Sequence, residues 1–244
     1  MPTTRVRGHW RKNPKTGKPV WVTEHQRTVK DSLRGKTKNV SVKAATYNML
    51  RIGAQRMAEN FADEAKNIIP GTKDANKMKR YLRGKADFYM TLNTNAKKFT
   101  GDPAGYIDQL KTIKLPEKMD ADFRRGWMEE RNRFIKKFEE GRYASASTNM
   151  LDASTRLYFD AQLERFDRAM KKHPNRKSFY LGFKNAYKRA KVEALGGKMF
   201  KNPNDVLSAI GDIHLDVKQD KNYNEGWRQG LLLFLDDMTS SSVF

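Results

Sequence analysis

The sequence predicts a mostly α-helical protein, with about eight helices arranged as helical-hairpin repeats behind a short basic β-hairpin arm. Three observations predict it. Apolar residues recur at helical spacing in successive stretches, most opened by a capping residue and closed by Gly or Pro. An aromatic residue is followed three positions later by glycine, then by an aromatic or a lysine, at Tyr81-Gly84-Lys85, Phe123-Gly126-Trp127, Phe179-Gly182-Phe183 and Tyr223-Gly226-Trp227; successive glycines lie 42, 56 and 44 residues apart. The charge is also uneven: residues 1–43 hold twelve Lys and Arg against Glu24 and Asp31, a net of +10 out of +21 for the chain.

These features divide the chain into a basic arm and linker (1–40), a helical repeat body (41–238) and a loose tail (239–244). In the arm, Arg5-Val6-Arg7-Gly8-His9-Trp10 and Val20-Trp21-Val22-Thr23 read as two short strands. Asn13-Pro14-Lys15-Thr16-Gly17 between them is turn chemistry, with φ preset at Pro14 and positive φ open to Gly17. Arg27 to Lys38 is polar, basic and aperiodic, as a linker would be.

The first helix is capped by Ser41 and carries Leu50, Ala54, Met57, Phe61, Ala65 and Ile68 before Pro70-Gly71. Asp74 opens the second, with Met78, Leu82, Lys85, Tyr89, Leu92, Ala96 and Phe99. Asp102-Pro103 opens a short third with Tyr106, Leu110 and Ile113, and Asp120 a fourth with Phe123, Trp127, Phe134 and Phe138, closed by Gly141. Thr148 or Asp152 opens the fifth, which runs to about Lys172. The sixth carries Phe179, Phe183, Tyr187, Ala190 and Ala194 up to Gly196-Gly197. Asn202-Pro203 starts the seventh, with Val206, Ile210, Ile213 and Val217; the eighth holds Tyr223, Trp227, Leu231, Phe234 and Met238. A mid-helix glycine costs roughly 1 kcal/mol relative to alanine, so four of them call for a shared compensation. Close approach of a neighbouring backbone between the flanking aromatics would supply it.

Hydrophobic content is 38% and charged content 32%, which implies a thin core under a heavily charged exterior. A surplus of +21 favours polyanions as partners, nucleic acid ahead of an anionic membrane. With no cysteine there is neither a disulfide nor a thiolate metal site, which suits a reducing compartment. The longest apolar run, Leu231 to Leu235, is far too short to span a bilayer, and no apolar stretch follows the basic N-terminus as in a secretory signal.

Gly8-His9-Trp10-Arg11, Val20-Trp21-Val22 and His25-Gln26-Arg27 resemble the GHxR…VxxHxR leaders of some phage-encoded proteins, over about a tenth of the chain. The resemblance implies a phage setting, in the bacterial cytoplasm during infection or in the virion, and implies no activity. Asn222 to Gly230 is similar to the GWR-type helix of small ribosome-associated modulation factors, which keeps RNA among the polyanions to consider.

Arg5, Arg7, Arg11, Lys12, Lys15 and Lys18 are the residues expected to meet phosphate. Trp10 and Trp21 either stack on bases or pin the hairpin to the body. In the body, Lys184, Lys188 and Lys191 share a helix face with Arg189 adjacent; Arg131, Arg133, Lys136 and Lys137 crowd the fourth helix, and Lys77, Lys79, Arg80 and Arg83 the second. Stacked repeats would align such groups into a cationic stripe. His9 and His25 with Glu24 fall short of a metal ligand set, and no cofactor is expected. No GK[ST] phosphate loop, HExxH or GxSxG is present. Asp205 with Asp216-Val217-Lys218 mimics a metal-dependent nuclease, but needs a strand where the helical stripe is longer. The expected function is therefore non-enzymatic, sequence-independent nucleic-acid binding. The rival is a structural part of a viral particle or other assembly (capsid, tail or internal virion protein), whose arm laces subunits together through other virion proteins or copies of itself.

Overall fold

The structure, a computed structural model, describes residues 40–239 apart from 72–73, 142–144, 196–198, 200–201 and 214–218. The expected β-hairpin, its linker and the tail beyond 239 lie outside the described residues. Among the described residues the chain is 85% helical, as α1 (Val42–Asn67), α2 (Ala75–Thr94), α3 (Ala96–Gly101), α4 (Pro103–Thr112), α5 (Ala121–Glu139), α6 (Ala146–Lys172), α7 (Lys177–Ala194), α8 (Pro203–Gly211) and α9 (Lys221–Thr239).

Local chemistry sets most boundaries. Ser41 caps α1 by accepting the Ala44 N–H, Asp102 caps α4 through Gly105, and Asp120 caps α5 through Asp122 and Phe123. Three boundaries differ from expectation. The second stripe is cut at Asn95, whose side-chain amide donates to the Thr91 carbonyl (2.8 Å) and ends α2, so Ala96 and Phe99 belong to α3. The fifth helix begins earlier than Thr148 or Asp152, because Ser145 Oγ accepts the Thr148 N–H (3.2 Å); Asp152 is buried within the helix, paired to Arg156. The seventh stops at Gly211, where Asp212 N–H turns back to Ser208 and Ala209. Asp74 precedes α2 but makes no side-chain cap bond.

The four aromatic–glycine motifs lie on α2, α5, α7 and α9, and they pair with one another. A Cβ on Gly84 would run into the Phe123 carbonyl, whose carbon is 2.9 Å away and whose oxygen is closer; one on Gly126 would meet Tyr81 in the same way. Gly182 and Tyr223, and Gly226 and Phe179, repeat that reciprocal contact in the second pair. The missing side chains admit the neighbouring backbone, which offsets their helix-propensity cost.

Each motif pair is parallel. Along α2 and α5, Arg80 meets Asp120 (2.8 Å), Lys85 meets Glu129 and Glu130 (3.0 Å each) and Tyr89 meets Glu130 (2.8 Å). Along α7 and α9, Ser178 meets Asp220, Asn185 meets Tyr223 (3.0 Å) and Ala186 meets Gly230. The helices α1 and α6 are also parallel, from Met49 and Thr155 (3.0 Å) through Gly53 and Tyr158 to Glu64 and Arg168 (3.3 Å). By contrast, α2 returns antiparallel along α1, with Asn93 on the Arg51 carbonyl (2.8 Å) and Tyr89 on Phe61. In the same way α7 returns along α6, with Lys191 on Asp160 (2.7 Å) and Lys184 on Asp167.

The body is thus two similar halves rather than a row of four hairpins. Each half has a long helix, a motif helix, a short-helical return and a second motif helix. Trp127 and Trp227, Phe134 and Phe234, the cap residues Asp120 and Asp220, and the Asp102-Pro103 and Asn202-Pro203 helix starts are each 100 residues apart. One core gathers Phe88, Phe99, Leu110, Trp127 and Phe134, the other Tyr158, Phe159, Tyr187, Leu231 and Phe234. The central helices face both: Leu50 and Leu157 serve the first core, Met49 and Tyr158 the second. Burying each such side chain contributes about 1.5–3 kcal/mol.

Candidate nucleic-acid interface

Arg5, Arg7, Arg11, Lys12, Lys15, Lys18, Trp10 and Trp21 lie outside the described residues, as do His214 and the Asp216-Val217-Lys218 triplet. Of the body cations singled out in the sequence, Arg80, Lys137, Lys184 and Lys191 bridge helices through acids. On α7, Lys184 pairs with Asp167 and Lys191 with Asp160, both on α6; Lys188 is exposed and has no acidic partner among the described residues. Asp160 also takes Lys137 from α5 (3.4 Å), so one carboxylate ties three helices. Arg131 is buried and donates to the carbonyls of Leu110 and Ile113, while Arg133 reaches Glu130 and Lys136 reaches Glu140. Lys77 pairs with Asp74, and Arg80 with Asp120 and Asp122; Arg83 is exposed and has no acidic partner among the described residues. The repeats therefore do not align these groups into an outward stripe. Arg80, Lys137, Lys184 and Lys191 hold helices together, while Lys77, Arg133 and Lys136 pair within their own helix or with its capping residue.

Lys85 is the extreme case. Its ammonium lies 4.6 Å from the Tyr81 ring centroid, beside Glu129 and Glu130, and its side chain is 9% exposed. Burial pulls the Lys85 pKa down, but the hydrogen bonds that its ammonium donates to Tyr81, Glu130 and Glu129 outweigh it and hold the pKa well above the ordinary lysine value. Glu129 is held below the usual carboxylate range by the Tyr81 hydroxyl, against its own desolvation. In the second half the corresponding residues are Phe183, Gln229 and Gly230, so the same crossing is made there without charge.

A second polar cluster joins α6, α7 and α9. Tyr158 Oη donates to Asp237 (2.6 Å) and lies 3.1 Å from Tyr187 Oη. Desolvation raises the Asp237 carboxyl above its ordinary value, with the Tyr158 bond opposing. The nearby groove is lined by Phe183, Leu232, Leu235, Asp236 and Thr239, and Asp237 does not open onto it. Among the described residues no group of three or more His, Asp or Glu could hold a metal ion, and no helix is long and apolar enough to cross a membrane.

The helix directions put all four motif-helix starts at one end of the molecule, with the last turns of α1 and α6. Arg80 and Asp120 join the first turns of α2 and α5, and Ser178 and Asp220 those of α7 and α9. At this end the corner between α6 and α7 reads Lys171-Lys172-His173-Pro174-Asn175-Arg176-Lys177, exposed throughout. In the sequence this stretch reads only as the end of the fifth helix, near Lys172. Four cations in seven residues without an acid was the signal that could have found it. No family model matches the chain, and neither does any curated protein or solved structure.

Proposed function

We propose that the protein is a non-enzymatic, sequence-independent nucleic-acid-binding protein, phage-encoded and associated with the virion. The observation that carries this reading is where the unneutralised charge lies. The arm holds twelve Lys and Arg against two acids within 43 residues, a net of +10, while the other +11 is spread over the remaining 201 residues, where several cations are spent on acids of neighbouring helices. A segment of that charge density, with two tryptophans between the arginines, suits a phosphate backbone and its bases. Its β-hairpin would present Arg7, His9 and Arg11 from one face.

Binding should therefore be electrostatic and insensitive to sequence. In fluorescence anisotropy with labelled duplexes of unrelated sequence, affinity should fall about tenfold or more over a fourfold rise in salt. Deletion of residues 1–38 should remove most of it. Retention of neither DNA nor RNA in dilute buffer would end this reading. Salt-tolerant self-association with no nucleic-acid dependence would instead favour an assembly role, with the arm lacing copies together.

A further inference from the structure

We infer that the α6–α7 corner, centred on Lys171, Lys172, Arg176 and Lys177, is a second phosphate-binding surface, on the body and apart from the arm; the inference rests on the nucleic-acid reading above. All four residues are exposed, and none is paired with an acidic side chain among the described residues. That sets them apart from Lys184 and Lys191, about two and four turns further along α7, which are spent on Asp167 and Asp160.

The fold does not require this charge. The matching corner of the first half, between α1 and α2, has Ile69, Pro70 and Gly71 and a lower charge, with Lys73 next to Asp74 in sequence and Lys77 paired with Asp74. Lys171 and Lys172 suit the C-terminal end of α6, but Arg176 and Lys177 face the positive start of α7, where cations are unfavourable. Four like charges in one corner also repel each other. A polyanion would offset both terms.

Arg176 is partly pre-positioned for that role. Its guanidinium lies 4.6 Å from the Phe179 ring centroid and 5.5 Å from that of Tyr180, so less side-chain freedom is lost when it meets a phosphate. Lys221, exposed in the first turn of α9, stands at the same end. A lipid surface fits less well, because the most exposed apolar residue at this end, Ile69 (78%), sits at the other corner.

Position makes the corner a separate contact. The arm joins the body at Val40, where α1 begins, and the corner lies at the end towards which α1 runs. With 26 residues, α1 separates them by roughly 39 Å, on the order of eleven base pairs. Nucleic acid engaged at both places would be held at two points along its backbone, and the contributions would multiply.

The test uses the full chain and a labelled 20-base-pair duplex, with affinity measured across a salt series. Replacing Lys171, Lys172 and Lys177 by Gln should weaken binding about tenfold or more at moderate salt and reduce the salt slope by about two to three. Replacing Lys98, Lys111 and Lys136 by Gln removes the same charge from the opposite end and should leave the slope within about half a unit. Circular dichroism checks that both variants fold. If both triple variants lose binding equally, net charge alone is responsible and the inference fails; it fails too if neither loses binding, in which case the arm reading stands. Absence of duplex binding by the unmodified chain removes both readings. Loss of phosphatidylserine-vesicle binding by the corner variant, with duplex binding intact, would overturn the inference in favour of a membrane.

Discussion

Lys85 carries a disproportionate share of the first half's stability. Its partner Glu130 is fully buried, so losing the ammonium leaves a carboxylate with only Arg133 and the Tyr89 hydroxyl nearby. Lys85→Met should therefore destabilise the fold by about 3 kcal/mol in urea unfolding. The folded pKa of Lys85 is raised, so its contribution is complete below the unfolded value and disappears as pH rises through the folded one. Glu129 is lowered, so its contribution is present above the ordinary carboxylate value and disappears as pH falls through the folded one. The melting temperature should hold a plateau between about pH 5 and 10 and drop on either side; in Lys85→Met the alkaline drop should shrink. In the sequence Lys85 stands out only as the lysine that takes the place of the motif's second aromatic. Its role becomes visible once α2 and α5 are known to cross, because Glu129 and Glu130 follow the partner glycine by three and four residues.

At the scale of elements, the glycine crossings decide whether motif helices can touch. Alanine usually improves a helix by up to about 1 kcal/mol over glycine. At Gly84, Gly126, Gly182 and Gly226 the added methyl meets a partner backbone carbonyl that cannot rotate away. Each Gly→Ala change should cost about 3 kcal/mol in urea unfolding. Gly101→Ala, where a Cβ meets nothing within 4 Å, should be neutral or slightly stabilising. Helices themselves were largely legible, since Ser41, Asp102-Pro103 and Asp120 announce their starts and the stripes follow. The break at Asn95 was not, because it depends on one side-chain amide reaching back to Thr91 in an otherwise unbroken stripe. Nor was the pairing. Nearly even spacing of the glycines suggested four equal units, whereas the period that governs the fold is 100 residues, carried by Asp120 with Asp220 and Trp127 with Trp227.

For the whole molecule, the junction of α1 and α6 couples two cores. Gly53 lets α1 lie against the backbone of Tyr158, whose Cα and N would be 2.8 Å from an added Cβ. Gly53→Leu should wedge the halves apart while sparing the crossings within each. Trp127 and Trp227 report on the two halves separately in chains where the other tryptophans are Phe, and their unfolding curves should coincide in the parent and separate in Gly53→Leu. Total charge was legible from composition. Its arrangement was not, because which cations are neutralised depends on which helices meet. Helices that run the same way cannot be joined by a tight turn, and here 26 residues separate α2 from α5 and another 26 separate α7 from α9. A helix of about 20 residues is roughly 30 Å long, a distance that about nine extended residues cover. The return segments are therefore far longer than the span demands, and the excess length builds core: Phe99, Ile107 and Leu110 lie on the first and Val206, Leu207 and Ile210 on the second, so trimming should cost packing well before the glycine contacts fail to close.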